Sequence, residues 1–188
     1  MYEEYWEKEE PIKEIHCTKT DCENDLHCFR PKRKKRGESY RNVTCYQCGA
    51  DIIDWERIDQ MDLSDKDYTF SALQNEWIRN LYWYRKIDEK IRIKAQKKGL
   101  DDLRVWTAKQ LDKKLRPHYK DIFKNGTQTP YEGNIIYYAQ HATATCCRNC
   151  LQEWYNLERD RSLTNEETEY FLELIMLYTQ ERLPEISQ

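Results

Sequence analysis

Phe70-Ser71-Ala72-Leu73-Gln74-Asn75-Glu76-Trp77-Ile78-Arg79-Asn80-Leu81-Tyr82-Trp83-Tyr84 sets apolar side chains at Phe70, Leu73, Trp77, Leu81 and Tyr84. Steps of three and four residues bring such side chains onto one helical face. The stretch therefore predicts a helix that starts near Ser64 or Asp65, continues through Ile87 and Ile91, and stops at Gly99. Downstream, Leu103, Leu111 and Leu115 predict a further helix over about 102–115, before Pro117. Residues 117–134 hold Asn125-Gly126, Pro130 and Gly133 and read as loop. Ile135-Ile136-Tyr137-Tyr138-Ala139 is short, β-branched and aromatic, which makes it the best strand candidate. Thr164-Asn165-Glu166-Glu167 fits a capping box opening a last helix, with Phe171, Leu174, Ile175 and Tyr178 on its apolar face and Pro184 at its end.

These elements give a mainly α chain with small zinc-knuckle and β elements, an α+β arrangement in which a zinc-stapled N-terminal module sits on a helical domain. The expected divisions are an acidic tail over 1–15, a zinc-binding module with a basic loop over 16–60, and a helical domain over 61–188. Glu is dense in the tail and Pro11 interrupts it, so it is expected to order only against something.

Composition narrows the class. Charged residues make up 35% of the 188 and mean hydropathy is -1.04, so the core must lean on the 6 Trp, 14 Tyr and 4 Phe. No stretch approaches the roughly 20 apolar residues of a membrane span. The start, Met1-Tyr2-Glu3-Glu4-Tyr5-Trp6, lacks the apolar run of a signal peptide. A leaderless, thiol-rich chain is expected in the cytoplasm, where cysteines stay reduced and available to metal.

The eight cysteines fall into groups whose spacing suits a shared metal ion. Cys45-x-x-Cys48, closed by Gly49, is a knuckle. With Cys17 and Cys22 it supplies four thiolates, a filled tetrahedral shell with no open position for chemistry. His16, His27 and Cys28 are possible substitutes, Cys22 being preferred to Cys28 for its shorter link to Cys17. Downstream, His141 precedes Cys146, Cys147 and Cys150. That group can close as a structural zinc site of three cysteines and one histidine, hold zinc with a water in the fourth position, or pack as thiols without metal. No His-x-Glu or His-Glu-x-x-His pattern places an acid or base beside it. The expected cofactor is Zn2+, in one structural site, with the second cluster as a further candidate.

Charge is segregated. Residues 30–41 hold seven Lys or Arg against Glu38 alone, and residues 76–120 hold fourteen against six acids. Residues 1–15 and 151–188 are acidic. The basic loop, Arg30, Lys32, Arg33, Lys34, Lys35, Arg36 and Arg41, and the basic middle are candidates for phosphate or an acidic partner surface. The rival reading is solvated helix faces beside a protruding loop.

The stretch from Gly126 to Pro130 and on through Gly133-Asn134-Ile135-Ile136-Tyr137-Tyr138-Ala139-Gln140-His141-Ala142-Thr143-Ala144-Thr145-Cys146-Cys147-Arg148-Asn149-Cys150 resembles an uncharacterised bacterial family, a domain of unknown function. Cys45 to Arg57 is similar to its longer members, so the resemblance takes in most of residues 16–183. Members often carry Trp-His after the cysteine motif, where this chain has Trp154-Tyr155. A more distant resemblance is to small accessory factors that bind and strengthen CRISPR effector nucleases, sometimes as dimers.

Together these readings lead to the expectation of a non-catalytic zinc-binding accessory protein. Its partner would be a CRISPR effector–RNA complex or a similar nucleoprotein, with nucleic acid met by the basic loop. A homodimer would form through the aromatic stripe around Trp77 and Tyr84. The alternatives are a stand-alone nucleic-acid binder, against which the pI of 5.9 argues, and a zinc-dependent hydrolase or nuclease centred on His141, Cys146, Cys147 and Cys150.

Overall fold

The computed structural model describes residues 2–8, 15–31, 41–118 and 129–187. In chain order its α-helices are α1 (Tyr2–Lys8), α2 (Trp55–Asp59), α3 (Lys66–Leu73), α4 (Trp77–Tyr84), α5 (Glu89–Lys114), α6 (Ile135–Ala142), α7 (Arg148–Tyr155) and α8 (Asn165–Arg182). Short 3-10 turns lie at Cys22–Asn24, Leu63–Asp65 and Pro184–Ser187. Among the described residues, β structure is confined to two isolated bridges, Asp21 with Leu26 and His27 with Glu76. The chain is thus mainly helical. No helix among the described residues is long and apolar enough to cross a membrane.

The helical centre is α6, packed against α4, α5 and α8. Ile135, Ile136, Tyr138, Ala139 and Ala142 of α6 are all buried, and this corrects the strand expected over 135–139. The spacing of Ile135, Tyr138, Ala139 and Ala142 is helical. Burial of the remaining faces hides that period in the sequence. Asn134 starts the helix, its side chain accepting from the Ile136 N–H at 2.9 Å.

The stripe from Phe70 to Tyr84 is helical but broken. Gln74, Asn75 and Glu76 separate α3 from α4, because the break pairs with a distant segment. His27 N–H donates to Asn75 O at 2.7 Å and Trp77 N–H donates to His27 O at 2.9 Å. A second discontinuity is Gly99, at φ 71 and ψ 165. The sequence marks it as a stop, yet α5 resumes beyond it. A residue with a Cβ would be strained there.

Aromatic rings carry the core. Trp83 packs against Phe70 and edge-on to Tyr178, both at 4.8 Å between centroids, and Tyr82 meets Tyr138 at 5.3 Å. Such pairs add about 0.5–1.5 kcal/mol to their burial. The C-terminal carbonyls of α4 are not left to water. Arg182 of α8 donates to Tyr82 O at 2.9 Å, to Trp83 O, and to Arg85 O at 2.8 Å, while the Tyr178 hydroxyl also donates to Tyr82 O. The capping box of α8 is present as read, with Thr164 and Glu167 bonding reciprocally.

Residues 2–8 of the acidic tail order against this chain's own body. Trp6 is buried, stands edge-on to Trp77 at 5.1 Å, and donates from Nε1 to Asn80 Oδ1 at 2.7 Å. Trp77 is consequently buried, and Tyr84 is half-buried against Tyr2 at 5.3 Å. The aromatic stripe read as a homodimer surface is covered from within.

Candidate metal centres

The first centre is built on the turn after Thr44. Cys45 N–H donates to Ala50 O and Gly49 N–H donates to Cys45 O, each at 2.9 Å, and Gly49 takes φ +79 to close the knuckle. Backbone N–H groups of Cys28, Cys48 and Gln47 point at the Cys45 sulfur. Burial alone would raise that thiol, but these donors bring it down to about 6. Burial and the neighbouring thiols of Cys48 and Cys45 push Cys22 up to about 12. The knuckle therefore presents a sulfur already suited to the thiolate form that metals take.

The residues that meet it are Cys22, His27 and Cys48, whose ligand atoms lie with that of Cys45 within 4.8 Å of one another. Cys22 Sγ is 3.9 Å from Cys45 Sγ, and Cys48 Sγ is 3.4 Å from His27 Nδ1. Zinc bonds of about 2.3 Å to sulfur and about 2.0 Å to nitrogen give tetrahedral edges of about 3.8 and 3.5 Å. The group fits zinc as a set of three cysteines and one histidine. The expected fourth ligand, Cys17, is not in it, and His27 stands in that position. The bridge from His27 to the α3–α4 break accounts for the position of His27, whose Nδ1 lies 3.4 Å from Cys48 Sγ. The spacing Cys22-x4-His27 was the available signal.

The second centre gathers Cys146, Cys147 and Cys150 at the start of α7. The Cys146 and Cys147 thiols donate to Cys150 Sγ at 3.3 and 3.6 Å. Those bonds hold Cys150 well below the ordinary thiol range, helped by two guanidinium groups. Arg79 Nη2 lies 3.2 Å and Arg30 Nη2 lies 3.6 Å from the same sulfur. Arg79 is fully buried and also reaches Cys146 Sγ at 3.8 Å, His141 O at 2.8 Å and Glu76 Oε2 at 2.9 Å. Sulfurs 3.3 and 3.6 Å from Cys150, below the tetrahedral edge of about 3.8 Å, and cations facing one thiolate suit a group that zinc could draw on. The two Cys/His clusters can therefore each hold zinc.

The structure does not bring His141 into the thiol group. Its ring is sandwiched between Tyr82 at 4.7 Å and Tyr131 at 5.1 Å. Nε2 faces Thr129 O at 3.1 Å and Pro130 O at 3.3 Å, while Nδ1 is buried with no partner among the described residues. Burial, with the Arg79 charge, lowers its pKa to about 4, so the ring is neutral. Tyr155 donates its hydroxyl to Thr143 O at 2.7 Å. Cys28 is buried and donates to Cys17 O at 3.4 Å.

Of the expected partner-binding cations, Arg30 pairs with Glu153 at 3.0 Å. Arg41 forks onto Asp59 at 2.6 and 3.0 Å and reaches Glu153 O and Trp154 O. Both tie the N-terminal segment to α7, and Arg41 ties it to α2 as well. Lys32, Arg33, Lys34, Lys35 and Arg36 lie outside the described residues. Exposed cations do line α5 and its approach, at Lys86, Lys90, Lys94, Lys97, Lys109, Lys113 and Lys114.

No solved structure matches the chain. A family model, Domain of unknown function (DUF4186), matches residues 67–180, which takes in α4, α6, the second thiol cluster and most of α8 but not the first centre. The match spans more than half of the 188 residues, and the chain belongs to that family.

Proposed function

We propose that this chain is a non-catalytic, zinc-stapled accessory protein that docks on a nucleoprotein. The observation that carries the reading is the character of the two thiol clusters. The first presents four ligand atoms, a full tetrahedral set. The second buries Cys146 and Cys150 beneath two arginines, which leaves no approach for a substrate to those sulfurs. Two surface grooves, one between Met61 and Tyr170 and one between Arg85 and Tyr138, include none of the cluster residues. Zinc here supplies folding energy, as it does for small modules with little apolar core.

Partner contact falls to the surface. The exposed α5 lysines, with exposed apolar Ile93 and Val105 on the same helix, are the candidate for a basic and partly apolar face. Such a face suits phosphate together with protein, and the distant resemblance makes a CRISPR effector–RNA complex the first partner to test. With Trp77 covered, any homodimer uses a different surface, for which this same α5 face is the candidate.

The test is purification of the tagged protein from its host with and without nuclease, followed by light scattering. A stoichiometric protein partner that survives nuclease, and is lost in a combined Lys90→Glu, Lys94→Glu, Lys97→Glu and Lys113→Glu variant, supports the proposal. Salt-sensitive binding of naked nucleic acid by the purified chain, with no protein retained, replaces it with a stand-alone binder. Metal-dependent turnover of any substrate refutes the non-catalytic reading.

A further inference from the structure

Arg85 follows the last residue of α4 and holds two donors in reserve. Its backbone is fixed, the N–H donating to Leu81 O and the carbonyl accepting from Arg182 Nη2, each at 2.8 Å. Its side chain is 13% exposed, with the guanidinium carbon 5.1 Å from the Tyr138 ring centroid and 5.8 Å from that of Tyr82. Nη2 donates to Glu132 Oε1 at 3.2 Å, but Nε and Nη1 are buried with no hydrogen-bond partner among the described residues. A ring face balances charge yet accepts hydrogen bonds only weakly, so those N–H groups stay short of acceptors. Buried donors in that state are rare and costly. Beside them runs a groove of about 780 Å³, lined by buried Ile87, Ile91 and Tyr138 and by exposed Lys86, Lys90 and Lys94. The acids of the groove are engaged: Asp88 caps α5 by accepting from the Lys90 N–H at 2.7 Å, Glu89 faces Arg92 at 3.8 Å, and Glu132 holds Arg85. The three lysines pair with no carboxylate among the described residues.

We propose that the groove at the α4–α5 junction is a nucleoside-phosphate site, in which a phosphate displaces Glu132 and takes the donors of Arg85 while Lys86, Lys90 and Lys94 surround it. Glu132 is the movable member, since it stands on the rim and is 68% exposed. A carboxylate ligand would bring one charge and two oxygens to this cluster of cations. A phosphate brings more charge and more acceptors, and it suits an arginine fork with lysine point charges beside it. The buried apolar wall favours a phosphate that carries an organic body over the free ion. The track beyond the groove points to a strand. Lys90, Lys94 and Lys97 are exposed on α5 at steps of four and three residues, which sets them on one helix face leading away from Arg85. The source of the phosphate is thus a nucleic-acid backbone, with a free nucleotide sharing the same chemistry. The site deepens the nucleoprotein reading by placing its phosphate contact, and rests on that reading only for the strand.

The test titrates the purified full-length protein, at low salt, with inorganic phosphate, a nucleoside monophosphate and a short single-stranded RNA, read by calorimetry. Binding of the monophosphate or the RNA is expected, weakened about 10- to 100-fold by Arg85→Gln. Glu132→Gln should act in the opposite direction and tighten binding, because it removes the carboxylate that competes for Arg85. Lys94→Gln should lower the salt slope of RNA binding by about one. The Glu132 and Lys94 side chains are exposed, so these two variants decide the matter even if Arg85→Gln fails to fold. RNA bound far more tightly than the monophosphate identifies a strand, and equal affinity identifies a free nucleotide. Failure of all three ligands to bind, or binding that Glu132→Gln leaves unchanged or weakens, would overturn the site. A protein partner retained from the host while phosphate fails to bind would overturn this site alone. Phosphate binding intact with no partner retained would instead overturn the accessory reading.

Discussion

The guanidinium of Arg79 donates to the sulfur of Cys150 at 3.2 Å, from a position wholly inside the protein. Its other donors satisfy Glu76 Oε2 and His141 O, and Glu76 Oε2 in turn accepts from Trp154 Nε1 at 2.7 Å. One side chain thus connects α4, α6 and the thiol cluster. Arg79→Met is expected to leave the Glu76 carboxylate and the cluster uncompensated, at a cost of about 3–5 kcal/mol. Arg79→Lys should recover little, since a single ammonium nitrogen cannot reach the acceptors that Nε, Nη1 and Nη2 meet separately. Denaturant titration of the two variants checks both statements, and a Lys variant as stable as wild type would contradict the second.

Zinc in the first centre should depend on His27. His27→Ala is expected to release one zinc per chain, whereas His16→Ala, whose ring lies outside the cluster, should release none. Inductively coupled plasma mass spectrometry on gel-filtered protein reads this directly. Loss of metal in the His16 variant would point to a different ligand set.

The carbonyl end of α4 should be sensitive to Arg182. It supplies donors to Tyr82 O, Trp83 O and Arg85 O from one side chain. Arg182→Leu keeps apolar bulk but removes those donors, and a loss of about 1–3 kcal/mol is expected. Hydrogen exchange should show the weakening first at the end of α4. Uniform exchange across all helices would mean that the effect is global.

Acid should loosen the start of α8. The Arg161 guanidinium holds the Glu167 carboxyl below its usual 4.5, with burial opposing and the Thr164 N–H assisting. Because the folded pKa is depressed, the stabilisation is present above about 4.5 and is lost as pH falls through the lower folded value. Arg161 is 38% exposed, so solvent screens much of the ion pair. Capping of this kind contributes about 1 kcal/mol. The stability gap between wild type and Glu167→Gln should therefore be about that size at pH 6 and narrow as pH falls below 4.5. A gap that does not change with pH would place its origin elsewhere.

What the sequence showed clearly was local. The capping box of α8 is written in four adjacent residues, and the apolar spacing of α3 and α4 survives their separation. What it hid was set by distant partners. The break at residues 74–76 exists because the His27 backbone bonds there, across some fifty residues. The identity of α6 was masked because α4, α5 and α8 bury almost every side of it, so no polar face marked its period. The same holds for the metal ligands. Cysteine spacing located both clusters, yet the preference for four thiolates favoured Cys17 over His27, and the folded path gathers His27 instead.

The bond from Arg30 to Glu153 joins residues 123 positions apart. A ribosome adds about 5–20 residues per second, so Arg30 emerges roughly 6–25 s before its partner. During that interval Arg30 lacks α7, which carries both Glu153 and Cys150. The tie between the N-terminal segment and α7 therefore forms only near the end of synthesis, and zinc supplied during synthesis should influence yield more than zinc added after purification.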